Sequence, residues 1–402
     1  MIDGRITKVA FRLALALIAL SVFCLVSYAQ SLGTAGTVTG VVTDPNGAVV
    51  PGAGVKIENP VTHFSRTATT DAQGAFRFDG VPFQEYQLSV TANGFNAAQQ
   101  VVSVRTAVPI EVKLALTVGG LTSNEVTITD SLNTVENVPT THTDVSDAII
   151  AKLPVATPGS GLSDVVSQSS PAVVAGENGF FHPLGDHAQT TFSIDNQPVS
   201  DQQSKAFSTQ LPPEAVQSLE IISGATPAEY GDKTSLVVNV ITKSGLNQRK
   251  PTGAFSTLYG TFGDTKESAS VAYGGSRVGN FVSFNFERSG RFLDPPEFTV
   301  MHDRGTSANV FDRVDYSPNA KDSFHVNLFA ARNFFEQPNT FEQQALGQDQ
   351  RQLVRSLNVA PGYVRVFSPH TILTVNPYYR LDQVWYFPSA NPFADQFTTL
   401  SQ

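Results

Sequence analysis

Regular alternation of apolar and polar positions dominates the chain after about residue 250. In each segment of roughly ten residues, apolar side chains occupy every second position and polar side chains lie between them. The apolar series include Ala269, Val271 and Tyr273; Val282, Phe284 and Phe286; Phe324, Val326, Leu328 and Ala330; and Leu373, Val375, Tyr379 and Leu381. Because successive side chains of a β-strand point to opposite faces, the pattern predicts antiparallel strands with one apolar and one polar face.

The connections between these segments alternate in length. Short turns are expected at 275–279, 318–321 and 368–370, and long polar loops at 291–305 and 333–352. Short turns on one side and long loops on the other are typical of transmembrane β-barrels, whose apolar faces contact lipid and whose polar faces line the lumen. The sequence therefore predicts about seven antiparallel barrel strands within residues 247–402. A soluble β-sandwich, whose strands also alternate, is the alternative.

The start of the chain has a different pattern. Three basic residues precede an apolar stretch at 13–26, and small residues occupy the −3 and −1 positions of a cut after Ala29. This layout predicts a cleaved secretory signal peptide over residues 1–29. A membrane anchor is the alternative, but about 14 apolar residues are fewer than the roughly 20 that span a bilayer.

Composition narrows the functional classes. The 402 residues carry a formal net charge of −9, which argues against nucleic-acid binding because phosphate contacts need clustered Lys and Arg. The only cysteine, Cys24, lies in the signal region, so the exported chain would lack disulfides, cysteine zinc sites and thiol nucleophiles. The sequence contains no H-E-x-x-H, P-loop, G-x-S-x-G or dinucleotide motif, and its seven histidines are scattered. We predict no enzymatic activity, no cofactor and no metal site.

Residues 37–116 consist of short alternating segments separated by turn signals. The strongest turns are Asp44-Pro45-Asn46-Gly47 and Asp71-Ala72-Gln73-Gly74. Turns every 8–12 residues predict a β-sandwich of about seven strands. Asp44 and Asp71 are possible calcium ligands, but the turns themselves explain these residues better.

This segment resembles the carboxypeptidase regulatory-like domain. The resemblance is carried by Gly40-x-Val42-x-Asp44-x-x-Gly47, by Thr67-x-Thr69-x-Asp71-x-x-Gly74-x-Phe76-x-Phe78 and by Tyr86-x-Leu88-x-Val90. It implies an accessory domain without catalytic residues. Carbohydrate binding is a weaker expectation, since a related fold includes starch-binding modules.

Residues 141–246 follow a linker at 117–140 and mix short helices with short strands. We expect helices at 144–152, with Asp144 as the N-cap, and at 162–166, and a helical turn beginning at Pro213. Strands are expected at 192–197, 219–222 and 236–241. The segment is predicted to be an α+β unit.

Four blocks of this segment resemble the plug domain of TonB-dependent outer-membrane receptors. They are Phe192-Ser193-Ile194-Asp195, Ser218-Leu219-Glu220-Ile221-Ile222-Ser223-Gly224, Ala228-Glu229-Tyr230-Gly231 and Val237-Val238-Asn239-Val240-Ile241-Thr242-Lys243-Ser244-Gly245. The resemblance implies a plug that fills the barrel lumen and moves during transport. The glycines suit places where the backbone approaches the barrel wall.

Two candidate sites follow from this resemblance. The extended run Glu125, Val126, Thr127, Ile128 and Thr129 stands where such receptors can carry a TonB box, a strand that pairs with a sheet edge of the energising partner. Asp130 departs from the usual motif, and an ordinary linker strand is the alternative. Phe180, Phe181 and His182 are the candidate substrate contacts at the plug apex.

Receptors of this family have barrels of 22 strands, so about seven strands predict an incomplete barrel. Open edges would leave backbone groups unpaired in lipid. The chain is therefore expected to be the N-terminal fragment of a longer receptor or the product of a truncated gene.

The leading hypothesis is an outer-membrane TonB-dependent receptor or transporter with N-terminal domains in the periplasm. Its expected partners are a TonB-type inner-membrane complex, outer-membrane lipid and an unidentified small or oligomeric substrate. The alternative is a secreted or surface carbohydrate-binding or adhesion β-protein without transport activity. A further alternative is a non-functional truncated product.

Overall fold

A computed structural model describes residues 35–59, 64–82, 85–104, 110–118, 127–128, 142–154, 161–175, 181–183, 190–199, 208–223, 235–246, 248–319, 322–368 and 371–395. The predicted signal peptide, with its cut after Ala29, lies outside these residues. The described part of the chain is mainly β, as predicted. Its helices are all too short or too polar to cross a membrane.

The N-terminal sandwich consists of two sheets. Its strands are β1 (Ala35–Thr43), β2 (Gly54–Glu58), β3 (Ser65–Thr69), β4 (Ala75–Pro82), β5 (Glu85–Thr91), β6 (Ala98–Ser103) and β7 (Ile110–Ala115). One sheet has the order β4-β1-β7 and the other the order β3-β2-β5-β6. Buried apolar side chains, among them Phe64, Phe78 and Tyr86, fill the space between the sheets. The prediction of about seven strands is confirmed.

Aspartates make the two strongest turns of the sandwich. The Asp44 carboxylate accepts hydrogen bonds from the backbone N–H groups of Asn46 and Ala48, at 2.9 and 2.8 Å. Asp71 accepts in the same way from Gln73 and Ala75, both at 2.9 Å. These bonds stabilise tight turns that end in glycine, so turn formation accounts for both aspartates.

The plug region, residues 142–246, is built on a five-stranded sheet. Its strands are β9 (His142–Ser146), β12 (Thr190–Ile194), β13 (Gln197–Val199), β14 (Val216–Ser223) and β15 (Leu236–Thr242), in the order β13-β12-β15-β14-β9. A separate two-stranded sheet pairs β10 (Val173–Ala175) with β11 (Phe181–Pro183). The helices are α1 (Asp147–Ile150) and α2 (Gly161–Ser169), and a 3-10 turn covers Pro213–Ala215.

The beginning of the plug region differs from the prediction. Asp144 does not cap a helix, because it lies inside β9 and pairs with Glu220 of β14. Helix α1 starts only at Asp147, with Ser146 at the N-cap position. Local sequence favoured a helix here, but edge pairing with β14 satisfies the backbone groups of residues 142–146 instead.

The third part of the chain is a large curved antiparallel sheet. Its strands are β16 (Thr252–Tyr259), β17 (Thr265–Gly274), β18 (Val278–Ser289), β19 (Gly305–Tyr316), β20 (Asp322–Glu336), β21 (Arg351–Ser368), β22 (Thr371–Val375) and β23 (Tyr379–Phe387). Each of β16 to β21 pairs with the next along the chain. β22 and β23 pair with opposite ends of β21 and occupy one strand position, interrupted around Pro377. The sheet therefore has the seven strand positions that the sequence predicted.

Its connections follow the predicted rhythm with one change of bounds. β18 and β19 are joined by residues 290–304, close to the predicted loop. β20 continues to Glu336 and β21 begins at Arg351, so the second long loop is shorter than expected and contains helix α3 (Phe341–Ala345). A capping box closes the start of α3: Thr340 accepts from the backbone of Gln343, whose side chain accepts from the backbone of Thr340.

The two faces of the large sheet have opposite character. Apolar side chains on the outer face are exposed, among them Val271, Phe284, Phe324, Leu328 and Leu381. Polar side chains on the inner face are buried, among them Ser268, Ser283, Asn285, Asn327 and Asn333. Some polar side chains also lie on the outer face; for example, Asn280 donates a hydrogen bond to Asp312 at 2.5 Å. A water-soluble sheet has a polar exposed face and an apolar buried face. The large sheet has the reverse distribution, which suits an exterior that contacts lipid.

The inner face also carries aromatic residues that the simple alternation did not predict. Phe281, Phe311 and Phe329 are buried and join the apolar core of the plug region, which includes Phe192 and Leu236. The plug region therefore packs inside the curve of the large sheet.

Candidate functional site

A buried polar cluster joins the plug region to the large sheet. It is centred on Asp195, which follows β12 in the tight turn to β13. Asp195 and Asn196 have φ of 47° and 68°, the conformation of a two-residue hairpin turn that Asp and Asn tolerate better than most residues. The turn presents the Asp195 carboxylate to β19 and β20 of the large sheet.

The Asp195 carboxylate is fully engaged. It accepts hydrogen bonds from the backbone N–H and the hydroxyl of Thr242, at 3.0 and 2.5 Å. Asn327 of β20 donates to it at 2.6 Å. The Arg313 guanidinium of β19 forms an ion pair with it at 3.1 Å.

Arg313 links Asp195 to a second buried carboxylate. Its Nε and Nη2 donate to Oδ1 of Asp315 at 3.0 and 2.9 Å, and its Nη1 donates to the Thr242 hydroxyl at 2.9 Å. Asp315 also accepts from the hydroxyl of Ser244 in the plug region, at 2.6 Å. Side-chain exposures are 14% for Arg313, 7% for Asp195 and 3% for Asp315. One cation thus lies between two carboxylates at a water-poor interface.

The surroundings keep Asp195 ionised. Burial alone would disfavour its charged form, but the charges of Arg313 and His325 and the hydrogen bonds from Thr242 outweigh burial and lower the pKa of Asp195 below its usual value. Asp195 therefore stays negatively charged at neutral pH.

Two further polar contacts lie along the same inner face. Gln197 and Asn358 exchange side-chain hydrogen bonds at 3.1 Å in each direction. Lys266 and Glu287 form an ion pair at 2.7 Å with exposures of 18% and 13%. The plug region is therefore held by directional polar bonds in addition to apolar packing.

The chain passes from the plug region to the large sheet through a glycine contact. A Cβ on Gly245 would lie 2.1 Å from the carbonyl oxygen of Asn280, and a Cβ on Gly279 would lie 2.3 Å from the backbone nitrogen of Leu246. Only glycine permits two backbones to approach so closely. The predicted role for glycine at this wall is confirmed for Gly245.

Four of the sequence-predicted site residues lie in the described part of the chain. Thr127 and Ile128 form a short strand, β8, that pairs in parallel with β6 of the sandwich. Glu125, Val126, Thr129 and Phe180 lie outside the described residues. Phe181 and His182 belong to β11, apart from the Asp195 cluster. The candidate TonB box and the candidate apex contacts therefore stay predictions.

Sequence reasoning missed the Asp195 cluster. Asp195 was predicted only as part of a plug motif, and Arg313 and Asp315 were not among the predicted residues. The available signal was the pair of charges at alternate positions of one strand, on the face that should line the lumen. Arg380 and Asp382 give the same signal, and the structure pairs them on the inner side. Within the described residues no three potential metal ligands come together.

Comparisons with known proteins found one family model and one curated relative that match parts of the chain. A family model for the carboxypeptidase regulatory-like domain matches residues 37–117. The TonB-dependent transporter Oar of Myxococcus xanthus is 26% identical over 280 residues, which cover 66% of this chain and 26% of Oar. The chain thus spans about a quarter of the length of this curated relative.

Solved structures agree on the fold. The alcaligin outer-membrane receptor FauA of Bordetella pertussis superimposes with a TM-score of 0.50 at 13% identity, covering 63% of this chain and 40% of FauA. FpvA of P. aeruginosa, in complex with a heterologous pyoverdine and iron, gives a TM-score of 0.46 at 14% identity, covering 61% and 34%. The likeness to FauA agrees with the plug and barrel-sheet fold predicted from the sequence.

The exposed apolar exterior, the plug region packed inside it and these likenesses lead to one assignment. The chain combines a segment that matches the carboxypeptidase regulatory-like domain with a fold like that of the outer-membrane receptor FauA, and its sequence is similar to that of the TonB-dependent transporter Oar.

Proposed function

We propose that the protein is an energy-coupled outer-membrane transporter in which the plug region moves relative to the large sheet. The observation that carries this proposal is the polar interface around Asp195 and Arg313. Polar bonds of this kind can be exchanged for bonds to water when the surfaces separate, whereas an apolar interface loses its stabilisation outright.

The outer face of the large sheet argues against the soluble alternative. It exposes large apolar side chains over several adjacent strands, including Val310, Tyr316 and Leu357. Soluble monomers rarely expose contiguous apolar patches of more than a few hundred Å². A secreted adhesion protein would need this face covered.

The energising partner would act through the candidate TonB box. Thr127 and Ile128 are extended and add one strand to the edge of the sandwich sheet, next to β6. This extended conformation is the one in which the edge of another sheet could capture the segment. We propose that the partner is a TonB-type protein and that residues 125–129 form the contact.

The substrate would enter from the side of the long loops and meet residues 180–182. We propose that it is a small or oligomeric compound that contacts the long loops and the plug apex.

The test measures whether the plug interface opens on energisation. Gln197→Cys places a thiol at a buried position that contacts Asn358. In cells with an energised inner membrane, we expect a maleimide to label this thiol several-fold faster than after treatment with a protonophore. Ile128→Pro, which removes a backbone donor from the candidate box, should abolish the difference.

Lys250→Cys is the matched control, since Lys250 is exposed and should label equally in both conditions. The protein should also fractionate with outer membranes. Equal labelling of the Gln197→Cys variant with and without energisation would contradict plug movement, and recovery in the soluble periplasmic fraction would contradict the whole proposal.

A further inference from the structure

We propose that the outer face of the large sheet carries a binding site for a lipid with a phosphate headgroup, formed by Arg332 and Arg355. The proposal rests on the outer-membrane location proposed above. It concerns the lipid-facing surface and is independent of the plug interface.

Aromatic residues mark two levels on this surface. The lower girdle, on the side of the short turns, contains Tyr316, Phe324 and Tyr363, whose rings stack at centroid distances of 6.1 and 4.5 Å. The upper girdle, on the side of the long loops, contains Phe334, Trp385 and Phe387.

These girdles delimit the apolar band. From Phe324 to Phe334 the strand rises about 33 Å, or about 25 Å in height at a usual tilt of ~40°, which matches the apolar band of outer-membrane barrels. Arg332 lies directly below the upper girdle, at the edge of the apolar band on the long-loop side, the external side in such barrels. From there its long side chain reaches the level of the lipid headgroups.

Arg332 and Arg355 are directly opposite each other on β20 and β21. Like charges at opposed positions repel, because their Cβ atoms are only about 4.5–5.5 Å apart. The other cross-strand neighbours are Ala308 and Gln383, which are uncharged. In the described part of the chain no carboxylate pairs with either arginine, so a ligand anion would relieve the repulsion.

Each guanidinium group is held in place by an aromatic ring of the upper girdle. Arg332 lies over the ring of Phe334 at 5.4 Å, and Arg355 lies over the ring of Trp385 at 5.3 Å. Such stacking orients a guanidinium while leaving its N–H edge free for hydrogen bonds. Two fixed, adjacent guanidinium edges match the several acceptor oxygens of one phosphate.

An apolar groove begins at the arginines. It has a volume of about 360 Å³, and its apolar lining, Phe284, Val310, Leu357 and Leu381, forms a cross-strand row directly below the row that contains Arg332 and Arg355. Charge along one side and apolar lining along the other match a phosphate headgroup with an acyl chain. We therefore commit to a phosphorylated lipid of the external leaflet rather than to free phosphate.

The single tryptophan of the chain reports on this site. The full chain, extracted from membranes in a neutral detergent, is titrated with bis-phosphorylated lipid A, and Trp385 fluorescence is followed. We expect a saturable change, at least tenfold weaker with the same lipid after phosphatase treatment. Inorganic phosphate alone should give no saturation at concentrations up to a thousandfold higher.

Arg332→Gln keeps the stacking of Arg355 on Trp385 and should weaken binding at least fivefold. Arg332→Gln/Arg355→Gln should lower the phosphorylated lipid that co-purifies from outer membranes at least fivefold. The matched control, Lys250→Gln/Arg277→Gln, removes two exposed cations at the short-turn end and should change both readouts less than twofold.

Equal binding of phosphorylated and dephosphorylated lipid, or unchanged binding by the double variant, would overturn the site. Saturation by inorganic phosphate would show that the arginines bind a free anion and would contradict a lipid as the ligand. A failure of the proposed transport function would appear instead in fractionation and thiol labelling, which these arginine variants should leave unchanged.

Discussion

The sandwich core and the plug interface are held together by different chemistry. Between the sandwich sheets the buried side chains are almost entirely apolar, such as Phe64, Phe78 and Tyr86. Where the plug region meets the large sheet, apolar contacts share the space with ionised groups and amides, such as Asp195, Arg313 and Asn358. The apolar packing of the sandwich suits a permanently folded core. The mixed interface of the plug region suits two surfaces that separate and reassociate.

The difference shows that burial alone does not define a core. Apolar burial stabilises by roughly 25 cal/mol per Å² without requiring precise geometry, so the sandwich is expected to stay folded while the plug region moves. Buried ion pairs contribute little net stability but are costly to break singly. They therefore fix one arrangement of the plug region without making it much more stable.

The largest expected effect is that of Arg313→Met. It leaves Asp195 and Asp315 buried without their cation, and breaking a buried pair in this way costs about 3–5 kcal/mol. Urea unfolding of the chain in detergent should show the loss in the plug transition alone. Arg277→Met, at an exposed site, should have no measurable effect. A loss in the sandwich transition as well would contradict the separation of the two regions.

Phe78→Ala tests the sandwich core, as Arg313→Met tests the plug interface. Phe78 is 1% exposed, and truncating such a residue costs about 3–5 kcal/mol, at the lower end if the neighbouring Phe76 collapses into the space. The sandwich transition should move to lower urea and the plug transition should stay unchanged. Val49→Ala, at a position that is 46% exposed, is the control. Coupled transitions would show that the sandwich supports the plug region.

Gly279→Ala tests the passage from plug region to large sheet. The added Cβ would lie 2.3 Å from the Leu246 nitrogen, and overpacking of this kind costs about 1–3 kcal/mol. The plug region should become more sensitive to protease while the large sheet stays resistant. Gly275→Ala is the matched control, because a Cβ there meets no atom within 4 Å. Equal protease sensitivity of both variants would argue against a close contact.

Lowering the pH is expected to have the smallest effect on stability, and it again distinguishes the plug region from the sandwich. Asp195 and Asp79 both have lowered pKa values in the folded protein, in each case because neighbouring cations and hydrogen bonds outweigh burial. Their contributions to stability are fully present above the ordinary aspartate pKa of about 3.9 and are lost as the pH falls below it toward the folded pKa. Asp195→Asn should flatten this pH dependence in the plug transition only, and Asp79→Asn in the sandwich transition only.

Local patterns were enough to predict most strands and several turns. Alternation such as Phe324, Val326 and Leu328 predicts a strand and its outer face without reference to the rest of the chain. Asp44 and Asp71 predict turns because their hydrogen bonds span only two to four residues. These features depend on neighbours in sequence, so a single sequence contains them.

Long-range partners could not be predicted in the same way. Asp195 and Arg313 are 118 positions apart in sequence, and the local pattern around one residue does not predict the other as its partner. Phe281 and Phe311 lie on the polar face of their strands because the plug core reaches them, which is a property of the assembled fold. Asp144 was misplaced for a similar reason, since its strand forms only through pairing with β14.

The position of β9 has a mechanical consequence. β9 is the first strand of the plug sheet and forms one edge, while β12 and β13, which present Asp195, form the other edge. A pulling force that enters from residues before His142 would load β9 first and peel it from β14. The strands that support Asp195 would be loaded only after that. Under such a load the plug sheet would yield first at the β9 edge, and the Asp195 contact would be the last part to bear the tension.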